Sequence, residues 1–442
     1  MWKYLLLPAL ILLVTGCSGS GGKSGSTVEA LDGSTVSSWT KTTVANIGGG
    51  GMLSQHLKAV PGADGDMHFF YFQGESADSF ALTHLVADDT TFVSLDEQMA
   101  AVTDNCLTLG VSATPANGFV AAYQGGTIRE CGSEQQSDAM VSVFQNHAWS
   151  EYTAGIGYVA RNPVFQDGLA GKNMAVAVDG KGDIHVCYQF FYEGCDAMNF
   201  NFPDLLYTRL SGADPLGAHG EQVVTGNVYN ANGTASEQNR VGDQVAMVVD
   251  GNDRPIIVYD ADLSPVMPDK KQKGLRVSAY TDDGFVHQWI DTGIEVAHLS
   301  AAMDHEGNPA VAYYVASPYE DDRGTHDHCL KFAFRKDGVW TVTMVAENVK
   351  AGADCALAFD RESRPWIAFH AEENHSGSVS LKDLYIAVLM DDGWTVETVS
   401  ETGDTGHFNS LWFDKDNNPR IATFRKDTGT VDLFAWNEGE EE

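Results

Sequence analysis

The chain is 442 residues long and carries 61 Asp and Glu against 27 Lys and Arg, a formal net charge of −34 with a pI near 4.5. A surface this acidic repels nucleic acid and anionic lipid headgroups, which makes both poor partners and argues against nucleic-acid binding, and it disfavours polyanionic polysaccharides unless the cations gather in one groove. A hydrophobic content of 43% is enough for a large core.

In chain order, the N-terminus comes first. Lys3 is followed by an apolar run too short to span a bilayer, which is the pattern of an export signal. Val14, Thr15, Gly16 and Cys17 resemble the lipobox of bacterial lipoproteins, an aliphatic residue and two small ones before a Cys. The resemblance implies a signal peptide over 1–16, cleavage before Cys17, and lipid on its thiol and new amino group. Several acyl chains together anchor stably where one is marginal, so the membrane is a partner through Cys17. Ser18, in place of Asp, implies sorting to the outer membrane, periplasmic or surface-facing, if the host is Gram-negative. Residues 17–35 are rich in Gly and Ser and read as a flexible tether, which leaves 36–442 as the folded domain.

Six cysteines follow Cys17: Cys106, Cys131, Cys187, Cys195, Cys329 and Cys355. An even number in an exported chain favours disulfides, and proximity suggests Cys106–Cys131, Cys187–Cys195 and Cys329–Cys355. Buried thiols are the alternative reading.

The folded region repeats. Residues 245–259, 299–313 and 355–369 are one phrase: small apolar residues run to an Asp (Asp250, Asp304, Asp360). A Pro sits five later and an aromatic nine later (Tyr259, Tyr313, Phe369). Residues 174–188 keep the Asp and the Tyr. The Asp residues recur 54, 56 and 54 residues apart from Asp250 to Asp414. A second phrase follows each first one, with Asp283-Gly284, Asp337-Gly338 or Asp392-Gly393 between two strand-like runs, a strong hairpin signal. Two hairpins per unit with a period in the fifties predict an all-β, seven-bladed β-propeller with four-stranded blades. The last unit lacks a strand, and residues 38–44 match 393–399, so the ring is expected to close by pairing an N-terminal strand with the C-terminal blade. The repeat is similar to bacterial seven-bladed propellers of the sialidase-like, BNR-related superfamily over roughly Trp39 to Trp436. That superfamily holds glycosidases, polysaccharide lyases, lectins and non-catalytic scaffolds. The Ser-x-Asp-x-Gly-x-x-Trp box of sialidases is absent and their arginine triad is not located, so no catalytic residue carries over.

Chemistry must therefore come from loops and strand ends. The longest insertions, 189–204, 260–273, 316–328 and 371–382, follow strand two and should share one face. Phe191, Tyr192 and Tyr319 there are ligand-face candidates, since aromatic rings stack on the apolar C–H faces of sugars; packing the loops down is the alternative. His56, Asp243, His298, Asp354 and His407 sit near the starts of first strands, where they would ring the mouth of the axial channel. They can hold a divalent metal or act as acid and base, or simply line a wet channel. Their offsets from the following Asp differ, so convergence is not assured. His326 and His328 point the same way if in a strand, and His370 can add a ligand, a zinc or general-base set. The Asp-Gly-rich turns resemble calcium loops in composition only, because the full ligand series is missing. No cofactor is required, and calcium or zinc is the metal to consider. The sequence favours a non-catalytic scaffold that binds a protein or glycan; the alternative is a carbohydrate-active enzyme, a polysaccharide lyase or glycoside hydrolase.

Overall fold

A computed structural model describes residues 39–47, 56–62, 65–76, 79–87, 94–103, 109–125, 137–155, 158–161, 164–192, 203–211, 214–224, 227–229, 235–265, 272–318, 328–347, 351–374 and 380–436. The Cys17 lipobox, Cys106, Cys131, Cys195, His326 and Tyr319 lie outside them, as do the side chains of Phe191 and Tyr192.

The described residues form seven antiparallel sheets arranged as a propeller. Blade five shows the plan. Ile294–Met303 pairs with Pro309–Pro318, which pairs with Cys329–Lys336 and then Val339–Glu347. Blades three and four carry a fifth strand. Tyr158–Arg161 and Asn227–Tyr229 each form a hairpin with a 15-residue first strand, Val164–Val178 or Ala235–Val249. The sequence period concealed these hairpins, because they lie in the diverged stretches between repeats. In the seventh sheet Trp39–Asn46 pairs antiparallel with Thr430–Trp436, Trp39 opposite Trp436. The two ends of the chain thus share a blade, and the edge of the last strand is covered.

The repeated residues have distinct physical duties. Each invariant-phrase Asp caps its own turn. Asp360 Oδ1 accepts the backbone N–H of Glu362 and Arg364, and Asp304, Asp250, Asp179 and Asp414 do the same two and four residues on. Each Oδ1 ties down its own turn, so the Asp, Asn and Gly of these turns meet a backbone need. The aromatic nine residues later fills the wedge toward the preceding blade. Tyr188 packs with blade two, Tyr259 with blade three, Tyr313 with blade four and Phe369 with blade five. Seven apolar clusters result, one at each junction between neighbouring blades.

The disulfide expectation fails where it can be read. Among the described residues Cys187, Cys329 and Cys355 are buried thiols, so the expected Cys329–Cys355 bridge is not formed, while Cys195 lies outside them. Their repeat positions explain this. Cys187 stands where the next units have Val258, Ala312 and Ala368, and Cys355 where they have Val245 and Leu299, all inward strand positions. Each acts there as a small hydrophobe. Burial pushes the Cys355 thiol up to about 12 and that of Cys187 higher still, which leaves both unreactive.

Candidate functional site at the channel mouth

In an antiparallel meander, the start of strand one, the end of strand two and the start of strand three share one face of the disc. The Asp turns occupy the opposite face. On the first face, five consecutive blades carry the same irregularity in their innermost strand. The register slips between Lys172 and Ala175, Val241 and Val245, Ala297 and Leu299, Ala353 and Ala356, and His407 and Ser410. Within these bulges Asn173, Gly242, His298, Asp354 and Phe408 take positive φ, between 50° and 74°. A bulge re-aims side chains, and left-handed backbone at a non-glycine costs about 1–3 kcal/mol and collects at functional sites.

The re-aimed side chains meet across blade boundaries. Asp354 lies between two imidazoles, with His298 Nδ1 3.3 Å from its Oδ1 and His407 Nδ1 3.3 Å from its Oδ2. His407 Nε2 is 2.8 Å from Asp404 Oδ1. The His370 ring stacks on that of His407 at 4.5 Å, and its Nδ1 donates to the Thr405 carbonyl at 2.7 Å. Asn409 Nδ2 donates to the carbonyls of Asp354 and Gly406, which ties the bulges of blades six and seven together. On the other flank the His298 ring lies 6.3 Å from that of Tyr314, whose hydroxyl meets His328 Nδ1 at 2.5 Å. The result is a string of six neighbouring side chains, His328–Tyr314 and His298–Asp354–His407–Asp404, two polar-bonded groups whose nearest rings, Tyr314 and His298, lie 6.3 Å apart, with His370 behind them. The His298 side chain is 41% exposed and Asp354 only 13%, so the imidazole faces solvent over a buried carboxylate.

The electrostatics follow from burial and pairing. Burial alone would raise Asp354, but hydrogen bonds from His298 and His407 hold it well below the carboxylate range. Burial alone would lower His407, yet its bonds to Asp354 and Asp404 leave it above its ordinary value. Burial, aided by the neighbouring His407, keeps His370 below its ordinary value. In the adjoining blade four, whose Gln244 Oε1 accepts the His298 N–H at 3.1 Å, Gln189 Nε2 donates to Asp243 Oδ1 at 3.0 Å, and Asp260 Oδ1 accepts the Gln244 N–H at 2.7 Å. Burial pushes the Asp260 carboxyl up to about 7, with Asp243 adding to it.

Of the residues singled out from sequence, His298, Asp354, His407, His370 and His328 therefore converge. His56 does not join them; its ring packs 5.5 Å from Phe408. Asp243 is held in blade four by Gln189 and Arg240. Asp404, Tyr314 and Asp260 were missed. Asp404 precedes His407 by three residues with Gly406 between them, a local signal that was available; Tyr314 sits inside a strand pattern that gave none, and Asp260 was read as the start of the 260–273 insertion, whereas the strand Pro255–Pro265 runs through it.

No protein-family profile matches the chain, and no curated protein matches it. Among solved structures, an ulvan lyase, a polysaccharide lyase of a new family bound to -[GlcA(1-4)Rha3S]-, superposes with TM-score 0.54 at 11% identity. The match covers 90% of this chain and 96% of that one. The Hadza microbial sialidase Hz136 gives TM-score 0.45 at 13% identity, covering 81% and 73% of the two chains. The Fusarium graminearum arabinofuranosidase Arb93A with an iminosugar inhibitor gives 0.46 at 11%, covering 92% and 99%. At such identities the likeness is one of fold: the chain is a seven-bladed propeller with structural neighbours among sialidases and polysaccharide lyases.

Proposed function

We infer that this protein is a carbohydrate-active enzyme whose channel-mouth cluster performs acid–base chemistry on a glycan, with β-elimination at a uronate as the reaction that fits best. The observation that supports it is the six-residue run from His328 to Asp404, assembled from blades five, six and seven by matching bulges. Three of these bulges, in blades five to seven, set titratable groups against one another across blade boundaries, an arrangement that collects at reactive sites and that a passive binding scaffold does not require.

β-Elimination needs a base for the proton beside the uronate carboxylate, an acid for the departing glycosidic oxygen, and positive charge or hydrogen bonds on the carboxylate, which in a chain of net charge −34 must come from the imidazoles gathered at this mouth. Tyr314 and His328, in direct contact, can pass a proton between phenol and imidazole. His298, oriented by Asp354, offers a second imidazole toward solvent. The carboxylates of this cluster suit hydrolysis poorly. A glycosidase acid needs a raised pKa, whereas Asp354 is pulled down and Asp404 is tied to His407. Hydrolysis would draw instead on Asp260, with its raised pKa, beside Asp243. The neighbouring ulvan lyase, bound to a glucuronate-containing glycan, supports the choice of a uronate at the level of fold.

The test is a panel of uronate-containing and neutral polysaccharides. Elimination leaves an unsaturated uronate that absorbs in the ultraviolet, whereas hydrolysis yields reducing ends without it. Ultraviolet-absorbing product supports the reading, reducing ends alone shift the site to Asp260 and Asp243, and neither binding nor turnover on any glycan contradicts both. Export and lipid anchoring at Cys17 belong to the same proposal. Metabolic labelling with a fatty-acid analogue should mark the protein and should fail in Cys17→Ser.

A further inference from the structure

We propose that His370, Asp404 and His407 bind a single divalent transition-metal ion, zinc by donor chemistry, at the junction of blades six and seven. One ligand atom from each lies within 4.8 Å of the others, two imidazoles and one carboxylate. Zinc takes such donors at about 2.0–2.2 Å, which sets pairs of ligand atoms about 3.3 Å apart in a tetrahedron. The pairs of donors need to change separation by about 0.5 Å to about 1.5 Å to reach that spacing.

The second layer of contacts points the same way. A ligating histidine characteristically gives its other ring N–H to a carbonyl or carboxylate, which fixes the tautomer and aims the free nitrogen at the metal. Both histidines are held like this. His370 Nδ1 donates to the Thr405 carbonyl at 2.7 Å, which leaves Nε2 with its lone pair. His407 Nδ1 faces Asp354 Oδ2 at 3.3 Å, which leaves Nε2 toward Asp404. An ion entering between His407 Nε2 and Asp404 Oδ1 replaces their 2.8 Å hydrogen bond and spreads them slightly.

The backbone is also shaped for this approach. Gly406 has φ 93°, and a Cβ there would lie 3.2 Å from both Cβ and Nδ1 of His370. Only glycine lets the Asp404–His407 segment lie this close to the buried imidazole of the preceding blade. Asn409 pins the segment through the Gly406 carbonyl at 2.7 Å, and Lys426 N–H donates to the Asp404 carbonyl at 2.8 Å. Three protein ligands leave a fourth position for water or a substrate oxygen, the open arrangement of reactive rather than structural zinc sites. Asp354 joins this site to His298, so the metal would sit at one end of the acid–base run.

The test does not depend on the glycan reading, because it counts ions. The purified protein is stripped with a chelator, then titrated with Zn²⁺ by calorimetry and with Co²⁺ by visible spectroscopy. The expected result is one ion per chain, with the intense visible bands of tetrahedral cobalt. Asp404→Asn and His370→Gln should weaken binding by more than about 100-fold, and Asp354→Asn, which acts only through His407, by about 10–100-fold. His287→Gln, on an outer strand, should bind as the parent does. If His370→Gln fails to fold by circular dichroism, Asp404→Asn, nearer the surface, decides. Less than one ion per chain, or unchanged affinity in Asp404→Asn, overturns the proposal and leaves His407 as an imidazolium held between two carboxylates.

Discussion

Asp360 accepts four hydrogen bonds in a space where water does not reach: two from its own turn, one from Arg364 Nε at 2.6 Å and one from Trp366 Nε1 at 3.0 Å. Asp360→Ala strands those donors and should destabilise the protein by about 2–4 kcal/mol, read from urea unfolding, because each unsatisfied buried donor costs about 1–3 kcal/mol. Asp260 gives a prediction with a direction in pH. Its folded pKa of about 7 lies above the ordinary 3.8, so the native state holds an extra proton between those values. Stability from this group is therefore full below 3.8, declines as pH rises toward 7, and is flat above it. Asp260→Asn keeps an acceptor for the Gln244 N–H and should remove that part of the slope from a melting-temperature profile; an unaltered slope would refute the assignment. At this scale much was legible in the sequence. The turn Asp and the wedge aromatic each serve a local or nearest-blade need that repeats, so their recurrence exposed them. The cysteines misled because export and even number argue for pairing, while alignment of Cys187 with Val258, Ala312 and Ala368 already marked it as a core position.

The inner-strand bulge is the element that makes the site. His298 and Asp354 stand six residues before their turn Asp and His407 seven, and unequal offsets in regular strands point side chains to opposite faces. The register slips between Ala297 and Leu299 and between His407 and Ser410 undo that parity, which is why the convergence could not be read from spacing alone. A bulge is a property of two paired strands, whereas the sequence shows one at a time. His298 adopts φ 58°, so His298→Gly should keep the bulge and the fold, while His298→Val should cost about 1–3 kcal/mol through its branched Cβ. Thermal melting of the two variants separates backbone strain from loss of the imidazole, since both lack the ring.

For the whole molecule, the repeat period, the missing last strand and the Trp39 match made the ring legible, because closure leaves a countable deficit at one end of the chain. Removing residues 39–46 should expose the edge of Thr430–Trp436, lower the melting temperature and drive association detectable by light scattering; a monodisperse, equally stable truncation would contradict closure through that strand. The site's location at one face of the ring also follows from topology, since the mouth is where first strands of successive blades approach one another. What topology leaves open is which blades bear chemistry, and blades five to seven do so through only a few side chains. The most direct measurement is turnover of a uronate polysaccharide by the parent, Tyr314→Phe and His298→Gln, alongside their melting temperatures. Ultraviolet-absorbing product is expected from the parent, with a loss of about 100-fold or more in either variant at nearly unchanged stability, the scale of a lost acid–base group. Undiminished turnover in both variants would contradict the acid–base reading.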